Sequence, residues 1–395
     1  MRAYIVVDLG FGDSGKGLLT DFLVRQTGAE VVVRYNGGAQ AGHNVVTPDG
    51  RTHTFSQFGA GSFVPNVKTY LSRHVVIHPT ALLVEGDLLA RKGVADPYSQ
   101  LRVSEQALVI TPFHQAANRI REILRGSARH GSCGVGVGEA VEDSLLDLET
   151  SVVAGDMHDP RLLRQKLFAI RDRKREQLTA FIKDSGSKTF PALEWEIFER
   201  EHIIEAWCSE IERIIDLDLV ATDEVLQKWL NETDCAVFEG AQGVLLDADA
   251  GFHPYTTWSR CTTRNALNLI SELNPQAQIY QIGVLRAYAM RHGPGPLPTE
   301  TGLLAGIISE HNQHNDWQGG VRYGWFDAIL AQYALNVIGK VDTLLVTHMD
   351  VLPRLDIWKY CTGYKQTTRR TETLTSLDPH PAFPLNFREQ ITREL

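Results

Sequence analysis

The sequence predicts an α/β fold with a mostly parallel central sheet, and three observations carry that prediction. Short β-branched runs alternate with helical patterns along the first hundred residues. A glycine-rich segment, residues 10–17, joins the first apolar run directly to the first helical pattern. Apolar residues make up 43% of the 395, enough to fill a large core.

The elements follow in order. Tyr4–Val7 reads as a strand, residues 16–27 as a helix, and Val31–Val33, Thr69–Leu71 and Val75–Ile77 as strands before a helix-like stretch at 79–92. This is the rhythm of βαβ units. Residues 161–232 change character: they are charged, with long helical periodicity from Arg161-Leu162-Leu163 through Ile203–Trp207 to Val225–Leu230, broken at Asp184–Ser187. They are expected to form a helical insertion beside the sheet. Strand signals return at Cys235–Phe238, Ile279–Leu285 and Thr343–Val346. With no internal repeat, residues 1–395 read as a single domain with helical and loop insertions.

Composition excludes several classes of function. A net charge of −9 argues against a broad nucleic-acid surface. No apolar stretch approaches the roughly 20 residues of a membrane span, and no leader peptide is evident. The five cysteines are scattered and never spaced CxxC, which points to reduced thiols in a cytoplasmic protein.

Residues 10–17 read Gly-Phe-Gly-Asp-Ser-Gly-Lys-Gly. A strand, a glycine turn and a helix start make a P-loop NTPase-like phosphate cradle, in which backbone N–H groups and one lysine neutralise a polyphosphate. Gly12, Asp13, Ser14, Gly15, Lys16, Gly17 and Leu18 are therefore nucleotide-binding candidates, against the plainer reading of an ordinary glycine turn. The usual pattern ends Gly-Lys-Ser/Thr, with the hydroxyl on Mg²⁺. Here Gly17 follows Lys16, and a carboxylate, Asp13, sits inside the loop. Beside a triphosphate that carboxylate is repulsive unless it binds the metal or takes a proton.

Three more segments carry chemistry. Arg34–Asn44 follows the second strand and brings Gln40, Ala41, Gly42, His43 and Asn44 to the same sheet edge. The His43 imidazole suits donation to an oxygen gaining charge. Phe238–Asp247 follows another strand and exposes the Gln242 amide, which suits a heterocycle edge or else is a buried structural amide. Thr347–Asp350 ends a fourth, where Asp350 fits two N–H groups of a guanine edge or a helix cap.

Together these segments resemble the adenylosuccinate synthetase family. The matching runs are Gly12-Asp13-x-Gly15-Lys16-Gly17, Arg34-Tyr35-x-Gly37-Gly38-x-x-Ala41-Gly42-His43, residues 239–243 with Leu245-Leu246-Asp247, Gly293-x-Gly295-Pro296-x-Pro298-Thr299-Glu300 and Gly324-Trp325-x-Asp327. They occur in the family's order over roughly residues 1–355. The resemblance implies a homodimeric ligase that joins L-aspartate to C6 of inosine monophosphate and hydrolyses GTP. It implies Asp13 as base and Mg²⁺ ligand, a Gly42 carbonyl on Mg²⁺, Lys16 on the nucleotide phosphates and His43 as stabiliser of phosphoryl transfer. By the same resemblance Gln40, Ala41, Ser132, Cys133, Gln242 and Thr257 fall on the acceptor nucleotide, Arg322 in the aspartate loop, and His348 and Asp350 in the guanine motif.

Departures from the family pattern cluster around the acceptor. Ser14 stands where the family has Glu, and its Thr-Thr-Gly-Arg-Gly loop is Ser132-Cys133-Gly134-Val135-Gly136 here. Its partner-subunit arginine has no counterpart in Ser144–Ala154, and Gln318–Arg322 keeps one arginine. His348 replaces a lysine, and the family's final serine-rich base contact has no counterpart before Leu395. Retained Asp13, Lys16 and His43 imply conserved phosphoryl chemistry with a changed acceptor pocket. Three readings stay open: the inosine monophosphate reaction, a phage-type ligase joining aspartate to deoxyguanylate (dGMP), and a nucleotide-binding regulator without turnover. GTP against ATP is open as well.

Overall fold

The structure is a computed structural model describing residues 1–187, 189–308, 314–315, 317–365 and 373–377. Eight strands build the central sheet: β1 (Arg2–Asp8), β2 (Val31–Arg34), β3 (Lys68–Leu71), β4 (Leu101–Ser104), β5 (Val220–Ala221), β6 (Cys235–Glu239), β7 (Gln278–Arg286) and β8 (Thr343–Thr347). Their spatial order is β8-β7-β1-β6-β2-β3-β4-β5, and every neighbouring pair is parallel. A parallel sheet is covered on both faces, so its strands are apolar almost throughout. Thus β2 (Val-Val-Val-Arg) and β6 (Cys-Ala-Val-Phe-Glu) are buried at every residue.

The helices are α1 (Lys16–Thr27), α2 (Pro79–Arg91), α3 (Pro112–Arg125), α4 (Val137–Leu146), α5 (Pro160–Ser185), α6 (Ala192–Glu199), α7 (His202–Asp216), α8 (Asp223–Glu232), α9 (Arg264–Leu273) and α10 (Ala328–Ile338). On one face of the sheet, α1 packs Leu19, Leu23 and Val24 against Val6, Val32 and Val237, and stops at the left-handed Gly28. On the other, α10 packs Ile329, Leu330 and Tyr333 with Val7 and Leu285. Beyond the edge of the sheet, α5 ends at the left-handed Gly186 and is followed by α6 and α7. There α3, α5, α6 and α7 pack Phe113, Leu167, Ile170, Phe198 and Ile211 into the cluster that also holds Leu101 and Val103 of β4.

Two details differ from expectation. Residues 220–221 leave the helical region and pair as the edge strand β5. Val76–Ile77 stays out of the main sheet and pairs with Leu108–Val109. It begins only a few residues after β3, whereas a parallel neighbour needs a crossover of roughly a dozen residues or more. β4, reached through α2, takes that place.

Because all eight strands run the same way, Asp8, Arg34, Glu239, Arg286 and Thr347 end on one edge. The segments following them meet there. A buried ion network braces α4 beside that edge: Lys174 Nζ of α5 lies 2.8 Å from both Glu139 Oε2 and Asp143 Oδ1. Among the described residues no helix is long and apolar enough to cross a membrane.

Candidate active site

The phosphate loop turns on left-handed residues, with φ of 95° at Gly12, 56° at Asp13 and 89° at Gly15. Its shape is fixed from within by Asp8 at the end of β1. Asp8 Oδ1 accepts from Gly10 N at 2.8 Å, and Oδ2 accepts from Ser14 N at 3.0 Å and Lys16 Nζ at 2.9 Å. A polyphosphate that engages Lys16 therefore competes with a buried carboxylate.

The missing hydroxyl after Lys16 has a steric reason. A Cβ at Gly17 would lie 2.6 Å from His43 Cβ and 3.1 Å from the His43 backbone. Gly17→Ser is expected to push back the hairpin that begins at His43, costing about 1–3 kcal/mol. Denaturant unfolding measures that cost, and turnover should fall with it.

Asp13 projects into the cleft with its side chain 45% exposed, and Oδ2 lies 3.1 Å from His292 Nε2. Desolvation opposes its ionisation, but the His292 hydrogen bond and charge, with Lys16 and Arg286 behind, hold the carboxyl below the ordinary range. Arg286 also donates to the Asp13 carbonyl at 2.9 Å, which anchors the strained residue.

His43, at the start of its hairpin, places Nδ1 2.5 Å from Glu239 Oε1, while Oε2 of that carboxylate accepts from Ala60 N at 3.0 Å. With Glu239 ionised, Nδ1–H is the donor and Nε2 is the nitrogen left for the cleft. Burial pushes the His43 pKa down and the neighbouring Glu239 pulls it partly back. The imidazole is thus neutral at rest and has a carboxylate ready to support its charge.

Gln242 sits in the left-handed region, φ 55°, on a loop locked to Asn36 by paired bonds: Asn36 Nδ2 to Ala241 O at 3.0 Å and Ala241 N to Asn36 Oδ1 at 2.7 Å. Asp13, Lys16, His43, Gln242 and His292 line one cleft of about 710 Å³.

The adenylosuccinate synthetase family model matches residues 5–381. The chain belongs to the adenylosuccinate synthetase family. Adenylosuccinate synthetase of Mycolicibacterium vanbaalenii is 33% identical over 383 residues, covering 95% of this chain and 83% of that one. That of Rhodococcus erythropolis is 32% identical, covering 98% and 86%. Among solved structures, fully ligated adenylosuccinate synthetase from Plasmodium falciparum superposes with a TM-score of 0.76 at 20% identity, covering 98% of this chain and 84% of the other. A cyanophage S-2L succinoaminodeoxyadenylate synthetase bound to dGMP and dATP gives 0.60 at 21% identity, covering 95% of each. As a member of the adenylosuccinate synthetase family the protein is a C–N bond-forming ligase, and the superpositions agree with its mostly parallel α/β fold.

Within this synthetase fold the cleft brings together Gly12, Asp13, Lys16, Gln40, Ala41, Gly42, His43, Ser132, Cys133, Gln242 and Thr257. Other candidates lie outside its lining. Ser14 is 2% exposed and turned behind the loop, Leu18 and Asn44 are exposed, and Gly15 packs on Thr347. His348 lies edge-on to Tyr288, and Asp350 is exposed on the turn that follows. Arg322 spends its guanidinium on Gly293 O, Gly295 O and Glu300. The absent serine-rich contact concerns positions beyond residue 377, outside the described residues.

Asp8, Glu239, His292 and Arg291 were not among the sequence candidates. Arg291 lines the cleft, lies 4.4 Å from the Phe11 ring centroid, and donates to Pro294 O, Pro296 O and Tyr255 O. A carboxylate closing a buried strand, as in β1 and β6, is the signal in the sequence that could have marked Asp8 and Glu239.

Proposed function

We propose that the chain uses GTP or ATP to phosphorylate the 6-oxygen of a purine nucleotide of the inosine monophosphate type, and then adds the amine of L-aspartate. The observation that carries this reading is Asp13, held toward its ionised form by His292 within the cleft that also holds Lys16 and His43, the latter backed by buried Glu239. A polyphosphate cradle alone needs no such carboxylate.

In this reading Asp13 takes the N1 proton of the purine, and the electron pair moves to O6. O6 attacks the γ-phosphorus and the nucleoside diphosphate leaves. His43, backed by Glu239, meets the charge growing on the transferring oxygens. The aspartate amine then attacks C6 and phosphate departs, with positioning doing most of the work. Lys16 holds the nucleotide phosphates and Gln242 the base edge.

The Asp13 carboxylate and the Gly42 carbonyl would hold Mg²⁺. Among the described residues no three His, Cys, Asp or Glu side chains form a metal cage. Mg²⁺ is commonly held by one or two carboxylates with substrate phosphates and water, so this donor set fits it. When bound, the ion would neutralise phosphate charge.

A homodimer in the cytoplasm, acting on small substrates and neither nucleic acid nor membrane, completes the proposal. Five unpaired cysteines fit a reducing compartment.

A second reading, aspartate joined to dGMP, is favoured by the side chain at position 14. Ser14 is packed behind the loop, which leaves the space beside Asp13 to the acceptor. One experiment separates the readings. Phosphate release from GTP or ATP is measured with aspartate and either inosine monophosphate or dGMP, and the adduct is weighed by mass spectrometry. A succinyl adduct of inosine monophosphate supports the first reading and one of dGMP the second. Triphosphate binding without turnover across the panel would leave only the regulator.

A further inference from the structure

Among the described residues three arginines line the cleft and the chemistry above uses none of them; Arg291 is engaged by loop carbonyls, which leaves two on α3. We propose that Arg121 and Arg125 of α3 hold the 5′-phosphate of the acceptor nucleotide, so that the cations of this subsite come from the chain that carries Asp13. The proposal rests on the nucleotide-acceptor reading.

Arg121 and Arg125 line the same cleft as Asp13 and Gln242. One helical turn apart, they lie on one face of α3. Both are held rather than free to wander. Their guanidinium carbons lie 5.3 and 6.0 Å from the Phe181 ring centroid of α5. Arg121 Nε is 2.8 Å from Glu139 Oε1, and Arg125 Nη1 is 2.7 Å from Glu122 Oε1. A guanidinium carries five N–H donors in a rigid fork, so each retains donors for an oxyanion.

The carboxylates on this wall do not leave it repulsive. Glu122 Oε2 also accepts from Gly131 N at 3.1 Å. Buried Lys174 binds Glu139 at 2.8 Å and Glu142 at 3.4 Å. Each acid thus has a cation or amide partner before a phosphate arrives.

The remaining wall offers neutral donors. Asn118, one turn before Arg121, donates to Ser132 Oγ at 2.9 Å, and both line the cleft. Burial pushes the Cys133 thiol up to about 11, so it stays protonated. Meanwhile position 135 is valine, and residues 144–154 contain no arginine. The bidentate cation that a buried phosphate needs is supplied from α3.

The test compares binding of inosine monophosphate and dGMP with that of the matching nucleosides by calorimetry. The proteins are the full-length wild type, the double variant Arg121→Gln/Arg125→Gln and its Lys counterpart. The double Gln variant is expected to bind the monophosphates about 30-fold more weakly or worse, with nucleoside and triphosphate affinities within about threefold, and Lys should restore part of the loss. Unchanged monophosphate affinity, or an equal loss for nucleoside, overturns the proposal. A wild type that binds neither monophosphates nor nucleosides overturns the nucleotide-acceptor reading itself. Mixing Asp13→Asn subunits with the double variant should restore no turnover; restoration would place the two arginines in the partner's site.

Discussion

Asp13→Asn is expected to lower turnover by at least about a thousandfold while triphosphate binding stays within about tenfold. The substitution keeps the volume, and the backbone carbonyl held by Arg286 is untouched. An amide oxygen still faces His292, so the loop keeps its shape. What disappears is the negative charge that accepts a proton. Single-turnover phosphate release and binding of a non-hydrolysable triphosphate separate the two effects, and a fully active variant would sink the assignment. The pH dependence follows from the sign of the shift. Because His292, Lys16 and Arg286 outweigh desolvation, the Asp13 carboxyl titrates below the ordinary range. Its basic form persists as pH falls to about 4, the usual aspartate value. Any loss of wild-type activity between pH 8 and 5 therefore belongs to another group.

Glu239→Gln is expected to cost about a hundredfold or more in turnover, although Glu239 acts only through His43. The glutamate supplies Oε1 to His43 and Oε2 to Ala60 N, and the Arg34 charge lies close by. Burial raises the Glu239 pKa, but Arg34 and His43 outweigh it and the net direction is down. That depressed carboxyl stabilises the fold fully above its unfolded value of about 4.3. The contribution is lost as pH falls through the folded value, so the stability gap between wild type and variant should close on acidification below that point. Glu239 also raises the His43 pKa against burial. Removing it should make the imidazole protonate only at more acidic pH, which ¹⁵N NMR of the ring reads directly. A variant whose His43 titration does not move, yet whose turnover falls, would mean the carboxylate acts elsewhere.

The βαβ rhythm was legible because parallel strands, covered on both faces, are written as short unbroken apolar runs. Val31–Val33 and Cys235–Phe238 are such runs, and both lie in the sheet. The segments around Asp13, His43 and Gln242 were legible for a related reason, since small residues after a strand have one edge to occupy. Partnerships were not legible. Glu239 meets His43 only because β6 lies beside β2, and strand order is a property of the assembled sheet. His292 reaches Asp13 from the ribbon Ala289–His292, which pairs with Gly319–Gly324. Residue type also left open which guanidinium faces the cleft. Arg322 and Arg291 are both engaged by loop carbonyls, yet Arg291 lines the cavity with Arg121 and Arg125 while Arg322 lies outside its lining.

The Thr347 hydroxyl at the end of β8 donates to Ser14 O at 2.9 Å and lies 3.2 Å from Leu285 O, while β1 itself lies between β6 and β7. A nascent chain therefore makes residues 10–17 more than two hundred residues before the strands and the tether that complete them. The first strand has no neighbour until residues 235–239 have been made, and the loop's final tether arrives with residue 347. Non-local parallel pairing of this kind makes for slow folding with sticky edges exposed meanwhile. Ribosome-stalled chains ending before Thr347 should bind triphosphate poorly even where the first strands have formed.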